Sequence, residues 1–340
     1  MLGVFFCKQK RWCEMTKVLF IGGTGIISSA CSRLAVERGM TLYHLNRGQT
    51  SRPIPEAVIQ LKGDVRDRAS YEAALGEHDF DVVVQWVAFT PEHIEQDLEV
   101  LRGRMGQYIF ISSASAYQTP PASLPVTEST ILDNPIWEYS QNKIACEEML
   151  IEAYRQENFP MTIVRPSHTY DPTLFPTHGG YTVLDRMLEG KPLVVHGDGT
   201  SLWTLTHHED FAVGMVGLFA NPRAIGDTFH ITSDEWLSWN QIYNYIARAA
   251  GVEAKLVHVP SEVIARYDSE WGDGLLGDKA HSMIFDNTKI RRLVPEFNPK
   301  ISFAEGARQI VAWYQADPVR QVVDAEFDAL NDLIIKDYQL

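Results

Sequence analysis

The sequence has few cysteines and no long hydrophobic run. It contains four cysteines in 340 residues, at positions 7, 13, 31 and 146. So few in a chain of this length exclude a disulfide framework, and the spacing of Cys7 and Cys13 fits no common metal site. No stretch approaches the ~20 unbroken apolar residues that a membrane helix needs. We therefore expect no structural metal and no membrane span.

Positive charge is also scarce. Lysine and arginine number 30 against 44 aspartate and glutamate residues, which gives a net charge of -14. Such a chain repels nucleic-acid backbones at long range, so we expect a small-molecule substrate and no nucleic-acid partner. The first 15 residues have a short apolar run followed by basic residues, the reverse of a signal peptide. We expect residues 1–15 to be a disordered leader and the protein to be cytoplasmic.

The first half of the chain alternates short apolar runs with amphipathic segments of helical length. This alternation predicts an α/β fold with a parallel sheet covered on both faces. The predicted strands are 17–21, 41–45, 58–61, 81–86, 108–112 and 161–165, and the main predicted helices are 26–38 and 139–157. We assign residues 16–172 to this domain and most of 173–340 to a smaller substrate-binding domain, with segments of about 202–235 returning to the first.

The later part has shorter predicted elements. Strands are expected at 193–196 and 202–205, and helices at 182–188, 239–250, 303–316 and 319–336.

A glycine-rich turn separates the first strand from the first helix. It reads Gly-Gly-Thr-Gly-Ile-Ile-Ser from Gly22 to Ser28. Glycines at such a turn let a pyrophosphate approach the helix N-terminus, where free N–H groups favour anions. The turn predicts a doubly wound, Rossmann-type domain that binds a dinucleotide through Gly22, Gly25 and Ile26. An ordinary glycine-rich strand–helix turn is the alternative.

Residues at the ends of the second and third strands indicate which cofactor the domain binds. An acidic residue after the second strand would bind the ribose hydroxyls of NAD, but the sequence has Asn46-Arg47 there. Arg47 could pair with the 2′-phosphate of NADP, and we favour NADP over NAD on this basis, although an exposed loop arginine is equally compatible. Asp64, followed by Val65, is placed to accept a hydrogen bond from adenine.

Tyr139 and Lys143 lie four residues apart at the start of a predicted helix. Residues at this spacing share a helix face. A tyrosine with its usual pKa near ~10 is a poor base at neutral pH, and a nearby ammonium would lower that pKa. Ser113, at the end of the fifth strand, has a hydroxyl that could bond a substrate oxygen opposite Tyr139.

Together these motifs resemble the extended short-chain dehydrogenase/reductase family, which includes nucleotide-sugar epimerases and dehydratases. The matching segments are the turns at Gly22 and Asp64, Ser113, Tyr139 with Lys143, Arg165-Pro166, Gly197 to Thr200, and His207 with Asp210. The resemblance implies that Tyr139 is the general acid/base, Lys143 its partner and Ser113 the polarising hydroxyl. It further implies that Pro166 backs the nicotinamide and that two subunits pair as a homodimer through helices near 91–101 and 139–154.

The departures from the family concern the substrate. Ser28 replaces a usual third glycine, and Ala114-Ser115 replace the acid pair of the sugar 4,6-dehydratases. Trp203 stands where epimerases carry an arginine for the substrate diphosphate, and residues 271–276 contain no second arginine. A buried diphosphate without cations is poorly stabilised. We therefore expect a substrate that is not a nucleotide sugar.

Four further residues are candidate substrate contacts: Phe89, Ser115, His168 and Trp203. The aromatic residues, including Trp86, could equally be core packing, and His168 could act as a second acid/base. We expect NAD(P)-dependent oxidation–reduction or epimerisation at a secondary alcohol or ketone carbon of a carbohydrate-like substrate. A nucleotide-sugar 4-epimerase with unusual phosphate contacts, or a non-catalytic RNA-binding protein on the same fold, are the alternatives.

Overall fold

The computed structural model describes residues 16–338, so the predicted disordered leader lies outside the described residues. Its strands, in chain order, are β1 (Lys17–Ile21), β2 (Thr41–Asn46), β3 (Ile59–Lys62), β4 (Phe80–Gln85), β5 (Met105–Ile111), β6 (Met161–Pro166), β7 (His168–Tyr170), β8 (Pro192–His196), β9 (Leu202–Trp203), β10 (Leu205–His207), β11 (Asp227–Ile231), β12 (Leu237–Ser238) and β13 (Lys255–Val259).

The helices connect and cover these strands. They are α1 (Ile26–Glu37), α2 (Arg68–Leu75), α3 (Pro91–Leu101), α4 (Glu138–Glu157), α5 (Tyr181–Leu188), α6 (His208–Gly217), α7 (Trp239–Ala249), α8 (Ser261–Tyr267), α9 (Ser269–Gly274), α10 (Thr288–Leu293), α11 (Phe303–Gln315) and α12 (Ala325–Tyr338). A π-helix at Leu275–Lys279 and 3₁₀ turns at Ala114–Ala116 and Pro318–Arg320 complete the list. None of the described helices is long and apolar enough to cross a membrane.

Seven strands form the central sheet, in the order β11-β6-β5-β4-β1-β2-β3. Every neighbouring pair is parallel. The order reverses between β1 and β4, and such a reversal opens a crevice beyond the carboxyl ends of the strands. The predicted Rossmann-type α/β fold is confirmed.

The strands are apolar because helices cover both faces of the sheet. In β1, Val18 and Phe20 belong to the core on one face, and Leu19 and Ile21 to the core on the other. All four side chains are fully buried. A third apolar core lies in the C-terminal half, between the β8–β13 pair and helices α5, α7, α11 and α12.

The two halves of the chain share the central sheet. Strand β11 comes from the second half and pairs with β6 at the sheet edge. Helix α6, from the same half, packs against α1. Within the predicted returning region of 202–235, β10 also joins the first half, because it pairs with β7, whereas β9 pairs with β12 of the second half.

Two predicted elements of the C-terminal half are wrong. The strand expected at 202–205 is split at Thr204, whose hydroxyl donates to the Met283 carbonyl at 3.0 Å, so its two parts join different sheets. The helix expected at 319–336 begins only at Ala325. Asp324 provides the start signal, because its side chain accepts from the backbone N–H groups of Glu326 and Phe327.

Candidate active site

The glycine turn lies where β1 meets α1 and has little space for side chains. Gly22 has φ +101°, and a Cβ there would lie 3.0 Å from Val87 Cγ1. Gly25 directly precedes α1, and Ile26 is its first residue. Ser28 is buried and accepts a hydrogen bond from the Gly25 N–H at 2.7 Å. The serine that replaces a usual glycine therefore fixes the turn, and the first turn of α1 presents its N–H groups to an anion.

A groove runs from this turn across the carboxyl ends of β1, β2 and β3. We call it the cofactor groove; it is lined by Gly22, Thr24, residues 45–50, residues 63–66 and Val87. The predicted residues Arg47, Asp64 and Val65 all lie in it. The sequence reasoning missed Arg66, which follows Asp64 in the same turn.

Two arginines give the cofactor groove its charge. Burial lowers the pKa of Arg66, and the positive charge of Arg47 lowers it further. The carboxylates of Asp97 and Asp64 oppose this and raise it. The Asn46 side chain accepts from the Gly48 N–H at 2.9 Å and so shapes the turn that carries Arg47. Arg47 follows β2 and Arg66 follows β3, and both line the groove. Guanidinium groups in such a groove suit a phosphate ligand, for which arginine supplies paired donors.

A second cavity, which we call the Tyr139 pocket, lies between the end of β5 and the C-terminal half. Its lining residues are Ser113, Ala114, Ser115, Trp137, Tyr139, Pro166, Ser167, His168, Trp203, Thr204, Asp278, Lys279, Met283 and Phe285. Six of the predicted site residues are therefore brought together there. Phe89 is not among them: it is 44% exposed, and its ring centroid lies 4.8 Å from Lys143 Nζ.

Three serines and Tyr139 form a hydroxyl chain in the pocket. Ser113 Oγ lies 2.8 Å from Ser115 Oγ, which accepts from Ser140 Oγ at 2.8 Å. The Ser113 hydroxyl is close enough to Tyr139 to lower the pKa of its phenol. The chain arises because Ser113 lies just beyond β5, at the start of the 3₁₀ turn, while Tyr139 and Ser140 lie in the first turn of α4.

Lys143 is buried beneath Tyr139. Its ammonium donates to the carbonyls of Ala88 at 2.7 Å and Ile111 at 2.8 Å, and lies 5.8 Å from the Tyr139 ring centroid. Burial lowers the Lys143 pKa to about 8. The expectation that Lys143 lowers the pKa of Tyr139 is not met, because burial dominates and raises that pKa, opposed by the Ser113 hydroxyl.

His168 and Trp203 pack against each other on one wall of the pocket. Trp203 Nε1 donates to His168 Nδ1 at 3.4 Å, which leaves His168 Nε2 to carry the ring proton. Burial, assisted by the Lys279 charge, lowers the His168 pKa to about 3. His168 is therefore neutral at physiological pH and suited to donate a hydrogen bond rather than to act as a cationic acid.

Asp278 and Lys279 were missed by the sequence reasoning. They end the π-helix and line the pocket, two and three residues beyond the segment 271–276. No arginine lines the Tyr139 pocket among residues 16–338, but Lys279 places an ammonium there. The two positions named in the sequence carry no arginine, but Lys279 supplies a cation from a neighbouring position that the sequence comparison did not consider. The same described residues contain no cluster of three metal-ligating side chains.

The model of the NAD dependent epimerase/dehydratase family matches residues 18–232, which include both the cofactor groove and the helix of Tyr139 and Lys143. The chain belongs to this family. The family resemblance drawn from the motifs is thereby confirmed.

Two named proteins are similar to most of the chain. The 2′-dehydrokanamycin reductase of Streptomyces kanamyceticus is 25% identical over 304 residues, covering 88% of this chain and 84% of that protein. The chloroplast stem-loop binding protein of 41 kDa b of Arabidopsis thaliana is 26% identical over 257 residues, covering 71% of this chain and 65% of that protein.

Solved structures of epimerases share the fold. An epimerase from Methanothermobacter thermautotrophicus superposes with a TM-score of 0.75 at 18% identity, covering 96% of this chain and 97% of that one. The UDP-glucuronic acid 4-epimerase of Bacillus cereus, solved with UDP-glucuronic acid and NAD, gives 0.72 at 20% identity, covering 88% and 99%. At these identities the likeness is one of fold.

Proposed function

We propose that this protein is an NADP-dependent oxidoreductase that transfers a hydride at a secondary alcohol or ketone carbon of a carbohydrate-like substrate carrying no nucleotide. One observation carries the proposal: Tyr139, Ser113 and Pro166 line a single pocket at the carboxyl ends of the strands. Family membership supports the use of a nicotinamide cofactor. When bound, that cofactor would supply the hydride chemistry.

Tyr139 and Ser113 handle the substrate oxygen. Because the pKa of Tyr139 is raised, its hydroxyl is protonated at neutral pH and can donate to a ketone oxygen as that oxygen gains charge. The Ser113 hydroxyl polarises the same oxygen, and His168 Nε2 offers a further donor. The arrangement therefore favours the reductive direction.

The preference for NADP depends on the cofactor groove. Arg47 and Arg66 lie near each other there, and the position that would bind the ribose hydroxyls of NAD is Asn46. We infer that the two arginines would hold a 2′-phosphate.

The absence of a nucleotide on the substrate depends on the Tyr139 pocket. Trp203 occupies a wall of the pocket, and its described lining residues include no arginine to grip a diphosphate. A relative that covers most of the chain is named as a reductase of 2′-dehydrokanamycin rather than of a nucleotide-linked sugar.

The test is a binding titration with NADPH and NADH, preceded by mass spectrometry of any nucleotide released from the purified protein. NADPH should bind at least about tenfold more tightly, which is the effect of one or two charge-assisted hydrogen bonds. Arg47→Ala should remove this preference, whereas Arg102→Ala, an exposed arginine paired with Glu157 elsewhere, should leave it unchanged. Retained NAD(H) or equal affinities would contradict the NADP proposal.

A nucleotide-sugar 4-epimerase is the second candidate, and Lys279 favours it. Its ammonium in the pocket could meet one phosphate of a nucleotide sugar. Tight binding of UDP to the protein loaded with its cofactor would support this candidate over the first.

A further inference from the structure

The Tyr139 pocket contains a charged pair, Asp278 and Lys279, that lies outside the hydroxyl chain of Ser113, Ser115, Tyr139 and Ser140. Asp278 is 8% exposed, and its carboxylate Oδ2 lies 3.3 Å from Lys279 Nζ. Burial raises the pKa of Asp278, and the neighbouring Lys279 charge opposes this. A buried carboxylate is costly unless donors surround it. The remaining acceptor positions of Asp278 are therefore available for donors on a ligand.

The backbone under this pair is held firmly. The Lys279 carbonyl accepts hydrogen bonds from His196 Nε2 at 3.1 Å, Ser201 Oγ at 3.2 Å and Trp239 Nε1 at 3.2 Å. The Ala280 N–H closes the π-helical turn onto the Leu275 carbonyl at 2.8 Å. The backbone that carries the pair is therefore held in place before any ligand arrives, which reduces the entropy lost on binding.

Asn134 ties the same segment to the serines of the pocket. Its side-chain amide donates to the Gly277 carbonyl at 2.7 Å and to the Ser115 carbonyl at 3.0 Å. The charged pair is thereby kept in register with Ser113 and Tyr139. A substrate held by the pair is then also positioned toward the reacting groups.

Two indole rings flank the Lys279 ammonium. Its Nζ lies 5.1 Å from the Trp137 ring centroid and 5.7 Å from that of Trp203. Indoles present flat apolar surfaces on which the C–H face of a sugar ring can rest. The pocket thus combines an acceptor, a donor and two aromatic faces.

The charges of the pair select between ligand classes. A phosphate beside Lys279 would also meet the Asp278 carboxylate, and an ammonium beside Asp278 would meet Lys279. A neutral diol avoids both repulsions, because one hydroxyl can donate to the carboxylate while its neighbour accepts from the ammonium.

We infer that Asp278 and Lys279 bind adjacent hydroxyl groups of an uncharged sugar ring seated against Trp137 and Trp203, and that they set the preference of the pocket for neutral over phosphorylated sugars. This inference rests on the proposed function, since it assigns the substrate class of the same pocket.

The experiment measures binding by titration calorimetry on the full chain with its preferred cofactor present. The probes are the methyl α-pyranosides of glucose, galactose and mannose, with UDP-glucose as the phosphorylated comparison. The variants are Asp278→Asn and Lys279→Met, and the matched control is Asp273→Asn, an exposed carboxylate five residues earlier. Melting temperatures identify any variant that does not fold.

At least one pyranoside should bind the wild-type protein more tightly than UDP-glucose does. Asp278→Asn should weaken that binding by about tenfold, the loss expected for a charge-assisted hydrogen bond. It should also strengthen UDP-glucose binding, because the carboxylate no longer repels the phosphates. Lys279→Met should weaken pyranoside binding, and Asp273→Asn should change neither ligand.

Tighter binding of UDP-glucose to the wild-type protein, no binding of any pyranoside, or unchanged affinities in a folded Asp278→Asn variant would each overturn the inference. Failure of the proposed function appears separately, as the absence of any nicotinamide absorbance change with the pyranoside that binds or with its oxidised ketone. Pyranoside binding without turnover therefore leaves the inference standing and contradicts the proposed reaction. Turnover of the pyranoside, together with an unchanged pyranoside affinity in Asp278→Asn, supports the proposed reaction and contradicts the inference.

Discussion

At Tyr139, the surroundings favour the protonated phenol. Burial and the Asp278 charge raise its pKa, and the Ser113 hydroxyl only partly opposes them. Lys143, which the sequence places one turn away, gives its ammonium to two backbone carbonyls instead. The hydroxyl is therefore ready to donate a proton but must be deprotonated before it can accept one.

The two directions of the reaction should respond differently to pH. Reduction needs protonated Tyr139, so its kcat should be nearly constant from about pH 6 to pH 8, well below the ordinary tyrosine pKa of ~10. Oxidation needs the phenolate, so its kcat should rise with pH up to and beyond that value. Steady-state rates in both directions across this range test the prediction, and an oxidation rate that levels off near neutral pH would contradict it.

Removal of the Tyr139 hydroxyl should abolish most activity. Tyr139→Phe should lower kcat by about 10²–10⁴-fold, the usual contribution of a positioned general acid. Tyr154→Phe is the matched control, because Tyr154 lies on the same helix with a 37% exposed side chain. Equal rates in the two variants would exclude Tyr139 as the proton donor.

Some site residues could be predicted from the sequence and others could not. Tyr139 and Ser113 follow from helix spacing and from a hydroxyl at a strand end, both of which are local signals. Asp278 and Lys279 reach the same pocket through a π-helical turn held by side chains from distant segments. No local pattern marks such a turn, so the cation in the pocket was missed.

At the scale of the elements, a buried ion pair joins helix α4 to strand β6. Arg165 on β6 donates to both carboxylate oxygens of Glu147 on α4, one at 2.8 Å, and its guanidinium lies 4.7 Å from the Tyr117 ring centroid. The pair thereby fixes the helix that carries Tyr139 and Lys143 against the sheet.

Loss of one member of this pair should destabilise the protein strongly. Arg165→Leu leaves the Glu147 carboxylate buried without its partner, and we expect a loss of about 3–5 kcal/mol in the free energy of unfolding. Arg102→Ala breaks an exposed pair with Glu157 at the other end of α4 and should cost about 0–1 kcal/mol. Denaturant unfolding of both variants tests the contrast, and similar losses would refute it.

Asp97 on α3 connects four elements through its buried carboxyl group. It accepts hydrogen bonds from Tyr71 at 3.0 Å, Gln85 at 2.6 Å and Tyr108 at 2.6 Å. Burial nevertheless raises its pKa from 3.8 to about 6. Between these values the folded protein holds the proton more tightly than the unfolded chain, so this contribution to stability falls as pH rises through the window.

The variant Asp97→Asn has no such proton to lose. The difference in unfolding free energy between wild type and variant should therefore decrease from pH 4 to pH 6 and then remain constant. Chemical denaturation at a series of pH values measures it. A difference that does not vary with pH would show that Asp97 keeps an ordinary pKa.

The elements of the first half were predictable because each carries its own signal. The buried parallel strands β1 and β4 are apolar runs bounded by turns, and the glycine turn marks the start of α1. In the C-terminal half, the strands are two to five residues long and their partners lie far away in sequence. A break such as that at Thr204 depends on the distant Met283 carbonyl, which periodicity does not reveal.

For the whole molecule, the net charge favours an enzyme over an RNA-binding protein. A relative is named a chloroplast stem-loop binding protein, but this chain carries a net charge of -14. Nucleic-acid affinity derives largely from neutralised phosphates, so we expect no shift of a stem-loop RNA in gel electrophoresis at physiological salt and micromolar protein. Binding that weakens steeply with added salt would reverse this conclusion.

The placement of β11 beside β6 bears on how this fold can be recombined. The polypeptide leaves the central sheet after β6, and then returns to add α6 and an edge strand before leaving again. Consider a chimaera of two related proteins with a single junction after β6. Its central sheet would combine six strands from one protein with the edge strand β11 from the other. Chimaeras that exchange substrate selectivity between relatives need three junctions, placed after β6, before α6 and after β11, so that each parent's sheet remains whole.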